Sequence, residues 1–211
     1  MDLFADERRA VALGPGAVLL GGFALPVAEG LMAGIEAVGR VAPFRHMVTP
    51  GGKAMSVAMT NCGAWGWISD RAGYRYQGVD PLTGGAWPAM PQGFETVAVE
   101  AAAAAGYAGF APDACLVNRY APGARMAPHQ DRDEADLGAP IVSVSLGLSA
   151  TFLWGGLSRG DRLRRHGLHH GDVVVWGGPA RLAFHGVAPL QPGDHPAAGA
   201  LRYNLTFRKT R

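Results

Sequence analysis

The stretch Leu201-Arg202-Tyr203-Asn204-Leu205-Thr206-Phe207-Arg208 alternates between two kinds of side chain. Successive residues of an extended chain point to opposite faces. Arg202, Asn204, Thr206 and Arg208 therefore share one face, and Tyr203, Leu205 and Phe207 share the other. The second face suits a core. The first is polar and carries two cations, so turning it inward is costly without an anionic partner. An edge strand with its arginines in water needs no such partner, and the strand alone leaves both readings open.

Further strands lie upstream. Cys115 to Tyr120, Ile141 to Leu148 and Asp172 to Trp176 are β-branched or alternating. Turn clusters separate them at Ala121-Pro122-Gly123, Gly155-Gly156, Gly177-Gly178-Pro179 and Gln191-Pro192-Gly193. The first half reads differently. Val27, Leu31, Ile35 and Val38 recur at helical spacing, and Pro26 suits a first turn, so a helix is expected over 26–40. A second is expected over about 92–105, with Phe94, Val97, Ala98 and Ala101 on one face and Gly106 as its stop. Between them, residues 43–90 hold Trp65, Trp67, Tyr74, Tyr76 and Trp87 among glycines and prolines, and read as short strands and loops with exposed aromatics. Helices followed by many short strands predict an α+β, mainly β chain: a jelly roll with outer helices.

His129-Gln130-Asp131 adds chemistry. Two positions apart on an extended segment, His129 and Asp131 reach one point, and His185 in Phe184-His185-Gly186 is the candidate third ligand. Two imidazoles and one carboxylate on one face of an octahedron, with open positions opposite, are the pattern of non-haem Fe(II) oxygenases. A dicarboxylate that chelates iron through a keto-acid end would also give the arginines of 202–208 their anion. Asn118 and Tyr120 share parity on an earlier strand and can bond the same ligand.

Composition excludes several classes. The chain has 211 residues, 48% hydrophobic and 17% charged, which is no disordered composition. Gly 31 and Pro 15 occur without period, which favours turns over a fibrous repeat. A net charge of +2 implies no strong sequence-independent grip on nucleic acid. Cys62 and Cys115 make no disulfide framework and read as small buried hydrophobes in a reducing compartment. The start Met1-Asp2-Leu3-Phe4-Ala5-Asp6-Glu7 is acidic and unlike a signal peptide, and no run of about 20 apolar residues occurs. A soluble, cytoplasmic protein is expected.

Asn118-Arg119-Tyr120, His129-Gln130-Asp131, His185 and Arg202 to Arg208 resemble the AlkB family of Fe(II)/2-oxoglutarate dioxygenases, its bacterial members above all. The blocks Met47 to Gly52, Met55 to Gly63, Pro112 to Gly123, Pro140 to Leu148 and Gly171 to Gly178 extend the resemblance over about residues 4–208. It implies a double-stranded β-helix core over 111–211. Residues 1–110 would carry the helices and a nucleotide-recognition lid at about 43–90. It implies Fe(II) on His129, Asp131 and His185, and 2-oxoglutarate on Asn118, Tyr120, Arg202, Asn204 and Arg208, with O2 as oxidant. Trp67, Tyr74, Asp133 and Arg159 would meet the substrate. That substrate would be 1-methyladenine or 3-methylcytosine in DNA, demethylated oxidatively with release of formaldehyde, succinate and CO2. The expected partner is alkylated single-stranded DNA, with double-stranded DNA and RNA as further ones, bound by a monomer that needs no membrane.

The family pattern has an aromatic at the position of Lys53 and a histidine at that of Ala64, so lid contacts are expected to differ, with Lys53 a candidate phosphate contact. Asp133 beside a cationic methylated base would select it over the neutral base. Trp67, Tyr74 and His129 could sandwich the base. Trp65 is left undecided between stacking and core. The arginines of 159–166, with Lys209 and Arg211, read either as a phosphate-facing patch or as a solvated loop. His166, His169 and His170 are a weak candidate for a second metal site, and His46 and His195 read as structural or surface. Two other readings stay open: a 2-oxoglutarate dioxygenase acting on modified RNA or another substrate, and a nucleic-acid-binding module without catalysis.

Overall fold

The computed structural model describes residues 10–211. The acidic start lies outside them. Among the described residues fourteen strands and two α-helices follow one another in chain order. A hairpin, β1 (Val11–Gly14) and β2 (Ala17–Leu20), leads into α1 (Ala28–Val41). Then come β3 (Arg45–Val48), β4 (Ala54–Gly63), β5 (Gly66–Asp70), β6 (Gly73–Gln77) and α2 (Gln92–Ala104). The second half holds β7 (Ala114–Tyr120), β8 (Met126–His129), β9 (Ile141–Gly147), β10 (Ala150–Trp154) and β11 (Arg164–Leu168). It closes with β12 (Val173–Trp176), β13 (His185–Val187) and β14 (Arg202–Arg208).

The strands form a major sheet in the order β1-β2-β12-β9-β14-β7-β4-β3 and a minor sheet in the order β11-β10-β13-β8. The hairpin β5–β6 stands apart as its own two-stranded sheet. β14 is therefore central, paired with β7 on one side and β9 on the other, and the edge-strand alternative is excluded. Leu205 and Phe207 pack outward against α1 and α2, with Leu31, Ile35, Val38, Phe94 and Val97 in the same cluster. The opposite parity faces the minor sheet. Ile141, Val174 and Trp176 of the major sheet meet Phe152, Trp154 and Leu168 of the minor one. Arg202, Asn204, Thr206 and Arg208 are all buried in that gap. Two facing antiparallel sheets with helices outside make the jelly roll that the pattern predicts.

The differences have local causes. Pro26 sits in a short 3-10 turn, Leu25–Val27, so α1 begins at Ala28. Val27 is consequently 46% exposed, and Ala28 takes its place on the buried face. α2 buries the expected residues and stops where Gly106 takes φ +88, a conformation that disfavours other residues. Trp87, expected among exposed aromatics, is buried beneath Gly66, where any side chain would meet the indole, and its Nε1 donates to the Gln77 carbonyl. The expected boundary near residue 110 falls between α2 and β7, yet the major sheet draws strands from both sides of it. Of the segment 43–90, β3 and β4 belong to that sheet and only β5–β6 is appended. No helix among the described residues is long and apolar enough to cross a membrane.

Candidate active site

β8 and β13 are neighbours in the minor sheet, with His129 and His185 directly paired. Asp131 follows two residues after β8. The three side chains place their ligand atoms within 4.8 Å of one another, the one such group of three or more among the described residues. His129 Nε2 lies 3.4 Å and His185 Nε2 3.8 Å from the Asp131 carboxylate. Each imidazole turns its other nitrogen to a backbone carbonyl two residues earlier: His129 Nδ1 to Ala127 at 2.9 Å and His185 Nδ1 to Ala183 at 3.0 Å. A carbonyl only accepts, so Nδ1 carries the hydrogen and Nε2 keeps a lone pair aimed at the common point. This is the donor set and tautomer that a divalent ion takes from two histidines and a carboxylate.

The electrostatics divide the two imidazoles. Burial disfavours the His129 proton, but the contact with Asp131 overrides it and raises His129 above the ordinary histidine range, a proton that a bound ion would displace. Burial and the neighbouring His129 push His185 down to about 4, so it stays neutral and able to ligate. Burial opposes ionisation of Asp131, but Arg208 and the two imidazoles override it and hold the carboxyl well below its usual range. Arg208 Nη2 donates to Asp131 at 2.7 Å.

Asn118, Tyr120, Arg202, Asn204 and Arg208 line one cavity together with His129, Asp131 and His185. Arg208 touches the triad, so it marks the metal end. Arg202 marks the far end. Its guanidinium lies 4.8 Å over the Tyr120 ring, and Nη2 donates to Ser145 Oγ at 3.0 Å. Its Nε and Nη1 are buried without a hydrogen-bond partner. Leaving two guanidinium donors orphaned inside a protein is costly, and a carboxylate aligned with them removes the cost. The donor set suits a keto diacid: metal-ligand side chains at one end of the cavity and the orphaned Arg202 donors among its lining. Asn118 Oδ1 is also buried without a partner. Asn204 differs. Its amide bonds Ser143 Oγ and the Val144 carbonyl, and its Oδ1 accepts from Asn118 and Thr206. With both ends committed, Asn204 braces the slot rather than presenting a free group.

At the mouth, Trp67 on β5 and Tyr74 on β6 stack on each other, with centroids 5.6 Å apart and planes 12° from parallel. They form one stacked aromatic platform. Trp67 Nε1 donates to Asp133 at 2.8 Å, which sets this exposed carboxylate two residues from the metal ligand Asp131. Arg159 lies 5.1 Å over Phe184, the neighbour of His185. Trp67, Tyr74 and Asp133 are thus joined by direct contacts, whereas Arg159 is placed only against Phe184.

Other expected groups go elsewhere. Arg164 donates to the Leu13 carbonyl, tying the edge of the minor sheet to β1. Lys209 pairs with Asp113 at 3.1 Å and Arg211 covers Trp65 at 4.1 Å, so both have local partners. Trp65 is thereby half-buried under an arginine. His169 meets Ser149, and His170 stacks on His195 at 4.5 Å, so the histidines near 166–170 do not converge on a second metal site. His46 bonds the Met55 carbonyl. Cys62 and Cys115 are buried, free and cross-strand neighbours between β4 and β7. Lys53 and Ala64 are both exposed.

Sequence reasoning missed Glu134, Tyr76 and Arg181. Glu134 looks like one more solvated member of the acidic run 131–136, yet it is 6% exposed and receives Tyr76 Oη at 2.6 Å and Arg181 Nη2 at 2.9 Å. The available signal was the parity of Tyr74 and Tyr76, which point to the same side of β6 as partners in one task.

The profile of the 2OG-Fe(II) oxygenase superfamily matches residues 16–208. The chain is 59% identical to the alpha-ketoglutarate-dependent dioxygenase AlkB of Escherichia coli (strain K12) over 210 residues, covering 99% of this chain and 97% of that one. It is 41% identical over 108 residues to a DNA N(6)-methyladenine demethylase of Arabidopsis thaliana, ALKBH1D, which covers 46% of this chain and 24% of that protein. The solved structure of OsALKBH1 superposes with a TM-score of 0.84 at 29% identity, covering 95% of this chain and all of that one. A triad with open coordination, an arginine-capped slot beside it and a match along nearly the whole length agree: the chain belongs to the AlkB family of the 2OG-Fe(II) oxygenase superfamily.

Proposed function

We infer that this protein oxidatively demethylates N-alkylated bases in nucleic acid, with 1-methyladenine and 3-methylcytosine in single-stranded DNA as its preferred substrates, working as a monomer. The observation that carries the reading is the stacked Trp67–Tyr74 platform, hydrogen-bonded to Asp133. Asp133 stands two positions past Asp131 of the His129-Gln130-Asp131 motif. Aromatic faces read bases, and a carboxylate favours a base that methylation has made cationic. The names of the relatives point the same way.

Fe(II) held by His129, Asp131 and His185, with 2-oxoglutarate and O2, supplies the oxidation of an N-methyl C–H bond, after which the hydroxylated carbon leaves as formaldehyde. The chain's own groups do the rest. Arg202 orients the keto diacid by its far carboxylate, so that its other end faces the triad. His185 stays neutral because burial disfavours its proton. Phe152, Trp154 and Trp176 surround His185 with apolar surface and exclude water from that side. Asp133 attracts the cationic ring, and the platform holds the extruded base. A base that cannot pair is cheaper to extrude, which favours alkylated sites and single strands. The appended hairpin β5–β6 serves as the lid of the site.

The test is mass spectrometry of a short 1-methyladenine strand after aerobic incubation with the protein, Fe(II) and 2-oxoglutarate. Loss of one methylene mass from the methylated DNA supports the reading. No mass loss from DNA, with turnover on the matching RNA, would shift it to RNA. Absence of succinate with either strand would contradict it.

A further inference from the structure

We propose that Glu134 is a positioning residue for the keto-acid slot, and that Tyr76 ties it to the base-recognition hairpin. Both roles rest on the slot reading above and add to it a group that the slot itself does not touch.

Arg208 is buried, and its Nη2 and Nε both donate to Asp131, at 2.7 and 3.1 Å. Asp131 is also the carboxylate that a metal would claim. An ion bound there draws on the same negative charge, so Asp131 alone cannot fix a neighbouring guanidinium. A second buried anion stands on the other side: Glu134 Oε1 lies 3.3 Å from Arg208 Nε. Glu134 is in turn held from two directions. Arg181 Nη2 donates to its Oε2 at 2.9 Å, and Arg181 Nη1 donates to the Asp131 backbone carbonyl at 2.6 Å. One guanidinium thus clamps both ends of the turn that carries the metal ligand. Tyr76 Oη donates to Glu134 Oε1 at 2.6 Å.

The placement of Tyr76 gives this network its consequence. It lies on β6, two residues from Tyr74, and pairs across the hairpin with Trp67. Trp67 and Tyr76 bond the adjacent acids Asp133 and Glu134. The hairpin is therefore fastened twice to the segment after the metal motif. One fastening is at the rim, where a base is read; the other is beneath it, where Arg208 is aimed. A shift of the hairpin pulls on Glu134, and through it on the direction of Arg208. Two arginines share this one carboxylate, so neutralising it leaves them facing each other across a buried space.

The experiment titrates Mn(II)-loaded protein with 2-oxoglutarate by calorimetry, which reads binding without turnover. Mn(II) affinity is measured alongside. Glu134→Gln keeps the volume and removes the charge; it should weaken 2-oxoglutarate binding about tenfold, the scale of one charged hydrogen bond. Tyr76→Phe keeps the ring and removes only the hydroxyl; it should weaken binding about threefold. Mn(II) affinity should fall less than keto-acid affinity in both, since the three ligand side chains are untouched and only the outer contact of Arg208 to Asp131 is disturbed. Should Glu134→Gln fail to give a cooperative melt, Tyr76→Phe carries the test. Keto-acid binding at the wild-type level in Tyr76→Phe, or a parallel loss of Mn(II) affinity in the folded variants, would overturn the proposal. Wild-type protein that holds Mn(II) but no 2-oxoglutarate would instead overturn the slot reading, and the two failures are told apart by that control.

Discussion

Each ligand of the triad does one job that no neighbour can take over. Replacing His129, Asp131 or His185 by Ala should abolish succinate formation. The thermal midpoint should shift least for His129, the most exposed of the three, and most for Asp131, whose loss takes the closest carboxylate from the buried Arg208. Arg202 is the sharper test, being the one buried guanidinium of the slot with two orphaned donors. Arg202→Ala should raise the 2-oxoglutarate concentration needed for half-maximal turnover by at least about tenfold and leave metal binding intact. An unchanged requirement would show that the far carboxylate sits elsewhere. Asp133→Asn keeps the shape of the rim and removes its charge. It should reduce the preference for a 1-methyladenine strand over an unmodified one by about three- to tenfold, since the selected base differs by a positive charge. The triad and the arginines were legible because their types and spacing are rare together, whereas Asp133 was singled out only by the family resemblance. Glu134 was not, because nothing in the run Asp131 to Asp136 marks which acid the chain will fold over.

Among the elements, β14 and the two helices were plain from sequence. Strict alternation and a wide apolar stripe are strong signals. β8, β10 and β13 were not. They are 4, 5 and 3 residues long, and β8 contains Pro128. Arg164 to Leu168 reads as a charged loop, yet it forms the edge strand β11, where charge discourages pairing with another chain. The hairpin β5–β6 depends on one close approach. A Cβ at Gly66 would stand 2.3 Å from the Trp87 ring, so Gly66→Ala must displace the indole or the strand. It should cost about 1–3 kcal/mol of stability in a denaturant titration. It should also impair turnover on a methylated strand more than Mn(II) binding.

At the scale of the whole molecule, a nearly balanced charge of +2 leaves strand binding to local patches. All four arginines of 159–166 are exposed, and two of them have local contacts as well: Arg164 donates to the Leu13 carbonyl and Arg159 lies over Phe184. If Arg162 and Arg165 each neutralise one phosphate, reversing both charges should flatten the slope of log affinity for a single strand against log salt by about 1.4. An unchanged slope would return the segment to a solvated loop. The fold supplies the site by a division of labour. The major sheet gives the slot, the minor sheet gives the two histidines, and the hairpin gives the rim. The most direct test of that arrangement is a crystal structure grown with Mn(II) and 2-oxoglutarate. The account predicts His129 Nε2, His185 Nε2 and an Asp131 oxygen on one ion, with the distal carboxylate of the diacid on Arg202. An ion bound away from His185, or a slot still closed by protein side chains with the diacid outside it, would contradict it.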